Sequence, residues 1–229
     1  MIPIRARRRS ASLPFLTWTL MLTCTAVMVR LALLPDARAT SIFGALAVVP
    51  ARLFSTPFQP GQLITLVTSA FLHAGWVHLI GNLIFLWVFG PVVESRIGRL
   101  AFGALYFASG IAGALCFALI SPASTTPLVG ASAAIAGVLG AAIVLDPTAE
   151  ITAIIPLVVW FEVAELPAAF MIGMWFLLQV ASAVAPVVEG AGATIAWTAH
   201  IGGFVLGAAV ALVANGGRIS TTARSRRAV

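Results

Sequence analysis

An all-α membrane protein with six transmembrane helices is the fold class this sequence predicts, on three observations. Of its 229 residues, 61% are hydrophobic and only 9% charged, where a soluble domain carries about a quarter charged residues. Several apolar runs exceed the ~18–20 residues that cross a ~30 Å hydrocarbon core, which favours helices over a barrel. The basic residues, all 13 of them Arg, sit in the terminal stretches and short loops, where they act as orientation signals. That placement also argues against nucleic acid as a partner, because no polar face carries a row of Arg. Cys24 and Cys116 both lie inside apolar runs, so neither a disulfide framework nor a metal site is implied, and no cofactor is called for.

The chain opens with a basic stretch, Arg5–Arg9, followed by an apolar run and Ala37-Arg38-Ala39. This has the outline of a signal peptide, but Ser12–Leu34 is too long for the apolar part of one. It reads instead as an uncleaved first span, Leu13–Leu34, with Arg30 reaching back to the interface. Pro35–Pro60 forms a long outer loop, and its apolar patch Ile42–Val49 is too short to span and is expected in the interface. Gln62–Leu72 is a surface-lying piece, and the second span covers Trp76–Val93. Glu94–Arg99 is a short basic loop in which Glu94 and Arg96 read as a structural pair or cap.

The third span is Leu100–Ile120, and Ser121–Pro127 is an uncharged turn. The fourth runs from Ser132 to Leu145. After it comes an interfacial segment carrying Glu162 and Glu165, expected to be solvated, then a fifth span over Leu166–Ala183. Pro186–Ala193 is a turn, and the sixth span is Thr194–Ala214. Trp76 and Trp197 fall near the boundary as interfacial anchors. The organisation is therefore a basic tail over 1–12, a membrane domain over 13–214 and a basic tail over 215–229. Basic termini on one side require an even number of spans, which six satisfies. The Lys-free, Ala/Arg-rich composition points to a bacterial plasma membrane with both termini cytoplasmic.

Three distant stretches carry polar groups to one depth. At 1.5 Å per residue the fourth span covers only about 21 Å of the core, which sets Ser132 about 9 Å below the surface. His200 and Asn82 fall at about the same depth in their spans, with His78 one turn above Asn82 on the same face. Polar residues inside a membrane are costly and face interior cavities. A Ser with a His is the minimum for nucleophilic catalysis, the imidazole taking the hydroxyl proton and returning it to the leaving amine. His78 and the Asn82 amide, with the Ser132 backbone N–H, could donate to the oxyanion. Ala199, Gly203 and Gly207 form a stripe of small residues, and Ala133, Gly137 and Ala141 form another. Two such stripes let helices approach closely enough for a Ser–His hydrogen bond.

These blocks resemble those of the rhomboid intramembrane serine proteases. The resemblance rests on Phe71-Leu72-His73-Ala74-Gly75-Trp76-Val77-His78-Leu79-Ile80-Gly81-Asn82, on Gly130-Ala131-Ser132, and on Ala199-His200-Ile201-Gly202-Gly203. Glu94–Gly98 and the stretch from Leu166 to Gln179, with Trp175-Phe176-Leu177-Leu178-Gln179, resemble further segments of bacterial members. The match extends from about Phe58 to Gly207. It implies a rhomboid-like bundle with a half-submerged first outer loop, and a Ser132–His200 dyad without an acidic third member. It also implies an oxyanion site from His78, Asn82 and the Ser132 N–H. Transmembrane proteins would be the substrates and the lipid bilayer the medium. Gly130, Gly203 and Gly207 have structural places near the site, and His73 braces the first loop.

Two positions depart from the family pattern. Ala133 stands where a Gly usually follows the serine, which questions the packing on the sixth span. Ala136 stands four after the serine, where an aromatic ring often supports the histidine. A non-catalytic rhomboid-like protein that binds membrane clients is the rival reading; it is expected to lack the Ser or the His, and both are present. A transporter would show inverted repeats or broken helices, which the sequence lacks.

Overall fold

The computed structural model describes residues 1–6, 13–56, 59–156, 160–184 and 196–226. The expected turn Pro186–Ala193, the start of the sixth span at Thr194 and the basic residues Arg7–Arg9 lie outside them. In chain order the elements are β1 (Ile2–Ala6), α1 (Phe15–Ala32), α2 (Asp36–Leu46), α3 (Pro50–Ser55), α4 (Pro60–Leu63), α5 (Thr65–Thr68) and a 3-10 turn at Ser69–Phe71. There follow α6 (Trp76–Ile97), α7 (Arg99–Ile120), α8 (Ser132–Leu145), β2 (Glu150–Pro156), β3 (Phe161–Pro167), α9 (Ala168–Val184) and α10 (Ala196–Arg226). Among the described residues α1, α6, α7 and the Trp197–Asn215 part of α10 are long and apolar enough to cross a membrane, and α8 and α9 are shorter apolar helices. The result is the expected polytopic helical bundle.

Its centre is α8. Every residue from Ala133 to Ala142 is buried, and α6, α7, α9 and α10 all pack on it. A helix apolar on every side has no reason to face water or one partner alone, and it belongs at the middle. Close approach to α10 depends on missing side chains. A Cβ at Gly203 would run into the Ala133 carbonyl, and one at Gly207 into the Gly137 carbonyl. From the other side, a Cβ at Gly140 would meet the Phe204 carbonyl. The two small-residue stripes thus face each other, with Gly140 taking part as well as Gly137.

The loop between α1 and α6 is fastened to the chain leading into α8. Val48 and Leu128 form an isolated antiparallel bridge, with Leu128 N–H donating to the Val48 carbonyl at 2.8 Å and Val48 N–H returning a bond at 3.2 Å. Gly130 N–H donates to the Ser69 carbonyl at 2.9 Å. The patch expected in the interface is therefore partly a docking element, since Val48 packs in a buried cluster with Leu53, Ala114 and Ala118.

At the opposite end of the bundle the basic loop expected over Glu94–Arg99 is reduced to a single turn. Helix α6 continues to Ile97, Gly98 takes the left-handed φ of 84°, and α7 begins at Arg99. The polar side chains remain helical because each finds a distant partner. Glu94 is buried and accepts from Leu16 N–H at 3.0 Å, Thr17 N–H at 2.9 Å and the Thr17 hydroxyl at 2.7 Å. It closes the first turn of α1, where backbone donors lack helical acceptors. Arg96 pairs with Asp146 at 2.5 Å, just beyond α8. Of the expected alternatives, a Glu94–Arg96 pair or a cap, Glu94 serves as a cap, on α1, and Arg96 links to Asp146. The segment after α8, read from the sequence as interfacial, supplies strands β2 and β3, which join β1 in a three-stranded antiparallel sheet in the order β1-β2-β3. Glu162 and Glu165 stand exposed on β3, as expected.

Candidate active site

Ser132 is the first residue of α8, so its N–H has no intrahelical acceptor and is available to a ligand. Its approach is shaped by Gly130, whose φ of 118° suits glycine and whose backbone lies against the His78 ring. A Cβ there would stand 2.8 Å from both Cε1 and Nε2 of His78. From α10, His200 presents Nε2 at 2.7 Å from Ser132 Oγ. Asn82 is buried on α6 and its Nδ2 donates to the His78 carbonyl at 3.1 Å. Its second N–H is not engaged by that bond. The His78 Nδ1 receives the Ala74 N–H in a long contact of 3.5 Å.

Ser132, His200, His78 and Asn82 all line one cavity of about 200 Å³, together with Phe85, Ile135, Trp175 and Gln179 among others. Three segments that the sequence places far apart therefore converge. Such a constellation offers a hydroxyl with an imidazole to deprotonate it, and amide and ring donors beside it. Of the remaining expected site residues, Gly203 and Gly207 are the contact points of α10 on α8. His73 lies outside the cavity lining: it is buried, and its ring meets that of His78 edge-on at 5.2 Å. Burial, and secondarily the charge His78 would carry, lowers the His73 pKa, so this ring is neutral at ordinary pH.

The two departures have structural answers. The Ala133 methyl packs with Phe117 and Ala199, and α7 offers Gly113 against it, where a Cβ would lie 2.7 Å from the methyl. The space a glycine would have left after the serine is thus supplied from α7. At Ala136 the helix offers His200 no aromatic ring. The ring near it is Trp175 on α9, with centroids 5.8 Å apart. One turn further along α9, Gln179 Oε1 stands 2.9 Å from His200 Nδ1. Gln179 is the site residue that the sequence reading did not assign. It stood in a stretch of family resemblance but carried no role, and only its spacing of four from Trp175 hinted at a shared face.

Fold and site together define a polytopic helical membrane protein with a Ser–His pair at the mouth of a central short helix. The Rhomboid domain family matches residues 60–216, and the chain belongs to that family. Among its relatives, Rhomboid-like protease 3 of Toxoplasma gondii is 33% identical over 177 residues, 77% of this chain and 58% of that one. Rhomboid protein 1, mitochondrial, of Saccharomyces cerevisiae is 35% identical over 156 residues, 63% of this chain and 40% of its own. Inactive rhomboid protein 1 of Drosophila melanogaster is 41% identical over 86 residues, 38% of this chain and 6% of its own. The chain spans between 26% and 58% of the length of four plant, yeast and apicomplexan relatives that it matches.

These relatives correct the expected location. Plant, yeast and apicomplexan proteins, two of them named as mitochondrial, point away from a bacterial plasma membrane. Arg-rich flanks orient helices in any bilayer and do not say which one, and a Lys-free composition carries no address.

Proposed function

We propose that this chain is an intramembrane serine endopeptidase that hydrolyses peptide bonds in or near the transmembrane segments of other membrane proteins. The observation that carries this reading is the 2.7 Å approach of His200 Nε2 to Ser132 Oγ inside a cavity that also holds amide and imidazole donors. Ser132 Oγ attacks the substrate carbonyl carbon while its proton passes to His200 Nε2. The oxyanion receives hydrogen bonds from the Ser132 N–H, from Asn82 and from His78. His78 donates from Nε2, the ring nitrogen on the side facing Gly130. Collapse of the intermediate breaks the C–N bond, and the amine leaves with the proton from His200. Water then cleaves the acyl-enzyme by the same steps. The substrate must present an exposed carbonyl, so a membrane helix that unwinds readily is the fitting class.

A fluorophosphonate probe tests this reading. Wild-type protein is expected to be labelled, and Ser132→Ala and His200→Ala are not, while yield and melting temperature hold. Near wild-type cleavage of a reconstituted membrane substrate by Ser132→Ala would exclude the protease reading. The relative named inactive keeps one second reading in view, a non-catalytic protein that binds membrane clients. It predicts client capture with no labelling of Ser132 in the wild type.

A further inference from the structure

A histidine that takes a proton through Nε2 must already hold one on Nδ1. Some group has to accept that Nδ1 proton, or the ring can turn or adopt the tautomer that cannot act as a base. Inside an apolar bundle a carboxylate would be costly to keep charged. A neutral amide oxygen meets the requirement without introducing a charge.

The Gln179 side chain stands in that place. Its Oε1 is 2.9 Å from His200 Nδ1, while Ser132 Oγ is 2.7 Å from Nε2 on the other side of the ring. The three residues come from α9, α10 and α8, and form a continuous line. Trp175, one turn before Gln179 on the same face of α9, places its ring 5.8 Å from the imidazole. The position on α8 four after the serine is Ala136, fully buried and without a functional group. Support for His200 therefore comes from α9.

We infer that Gln179 is the positioning residue of the Ser132–His200 pair, holding His200 in its catalytic tautomer by accepting the Nδ1–H. The inference rests on the protease reading above. When Ser132 gives its proton to Nε2, the Nδ1 proton stays in place, and its bond to Gln179 becomes charge-assisted and stronger. The interaction thus favours the transition state over the ground state, and its loss falls on kcat rather than KM.

The test uses the full chain in lipid nanodiscs, with wild type, Gln179→Leu, Gln179→Met, Gln179→Glu and the Ser132→Ala control. The readouts are the rate of fluorophosphonate labelling, kcat and KM on a reconstituted membrane substrate, and the melting temperature. Leu, which has no acceptor for a ring N–H, and Met, whose thioether sulfur is only a weak one, are both near Gln in size and are expected to lower labelling and kcat together by roughly 10–100-fold. This is less than the ~10⁴-fold loss that follows when a triad carboxylate is replaced by an amide that enforces the wrong tautomer. KM and melting temperature are expected to hold, and Gln179→Glu, whose carboxyl stays protonated in this surrounding and still offers a carbonyl oxygen to the Nδ1–H, to stay close to wild type.

Wild-type labelling rates in both Leu and Met would overturn the inference. So would a Glu variant as slow as Leu, because the acceptor would then not be what matters. If Leu and Met both lose the melting transition, Gln179 has a packing role and the inference also fails. Absence of Ser132-dependent labelling in the wild type is a separate result, which removes the protease reading and this inference with it.

Discussion

Ala133 and Gly113 occupy one space between two helices. A Cβ at Gly113 would lie 2.7 Å from the Ala133 methyl and would also press on the Ala199 carbonyl. The residue after the serine is therefore matched to a glycine on α7, and α10 is seated over both. The substitution Gly113→Ala is expected to lower the melting temperature and to slow labelling of Ser132, because the clash pushes on the helix turn that carries His200. Ala133→Gly alone should cost about 1 kcal/mol of helix propensity and lost packing. The double variant should recover only part of the loss, since the Ala199 carbonyl still blocks the new methyl. Thermal melts of the four proteins check the cycle, and simple additivity would show that the two residues do not share the space.

Asn82 spends one amide N–H on the His78 carbonyl, which leaves the other for a developing oxyanion. Its removal should act on the transition state. For Asn82→Ala a fall in kcat of roughly 10²–10³-fold with little change in KM is expected, the usual size of one lost oxyanion donor. A purely structural Asn82 would instead give a less stable protein with full activity per folded molecule. Measuring kcat and melting temperature on the same purified sample separates the two.

Glu94 lies at the far end of the bundle from Ser132, and its replacement should affect stability alone. Glu94→Ala removes the acceptor of three hydrogen bonds and strands buried donors, at about 1–3 kcal/mol for each group left unsatisfied. Thr17→Val loses one of the three and should cost about 1 kcal/mol. Denaturation in mild detergent reads both effects. Labelling of Ser132 per folded molecule is expected to match wild type in each.

Much of this was legible in the sequence, for physical reasons that also mark the limits. Span positions followed from apolar run lengths, and α8 begins and ends at the residues expected, Ser132 and Leu145. The convergence of Ser132, His200, His78 and Asn82 was legible because a polar group in an apolar helix needs a polar surrounding, and few groups were available. What escaped depended on partners far along the chain. Glu94 serves Thr17, 77 residues away, so a neighbour such as Arg96 seemed the simpler mate. Gln179 lies on a helix whose facing partner the sequence did not specify. The strands β2 and β3 were hidden because apolar residues in a membrane protein suggest bilayer contact, although Ile151 and Ala153 alternate on a buried sheet face.

The sheet has a consequence for the order in which the molecule is made. Strand β1 is made before α1, yet its hydrogen-bonding partner β2 follows α8. At 5–20 residues per second, about 140 residues of further synthesis occupy on the order of ten seconds. During that interval four membrane helices are translated while the first strand has no edge to join. Strand β1 can therefore take no part in the sheet during early folding, although it also packs on α6. It can close only after β2 has emerged, so its pairing is a late event, and it ties the start of the chain to the connection between α8 and α9.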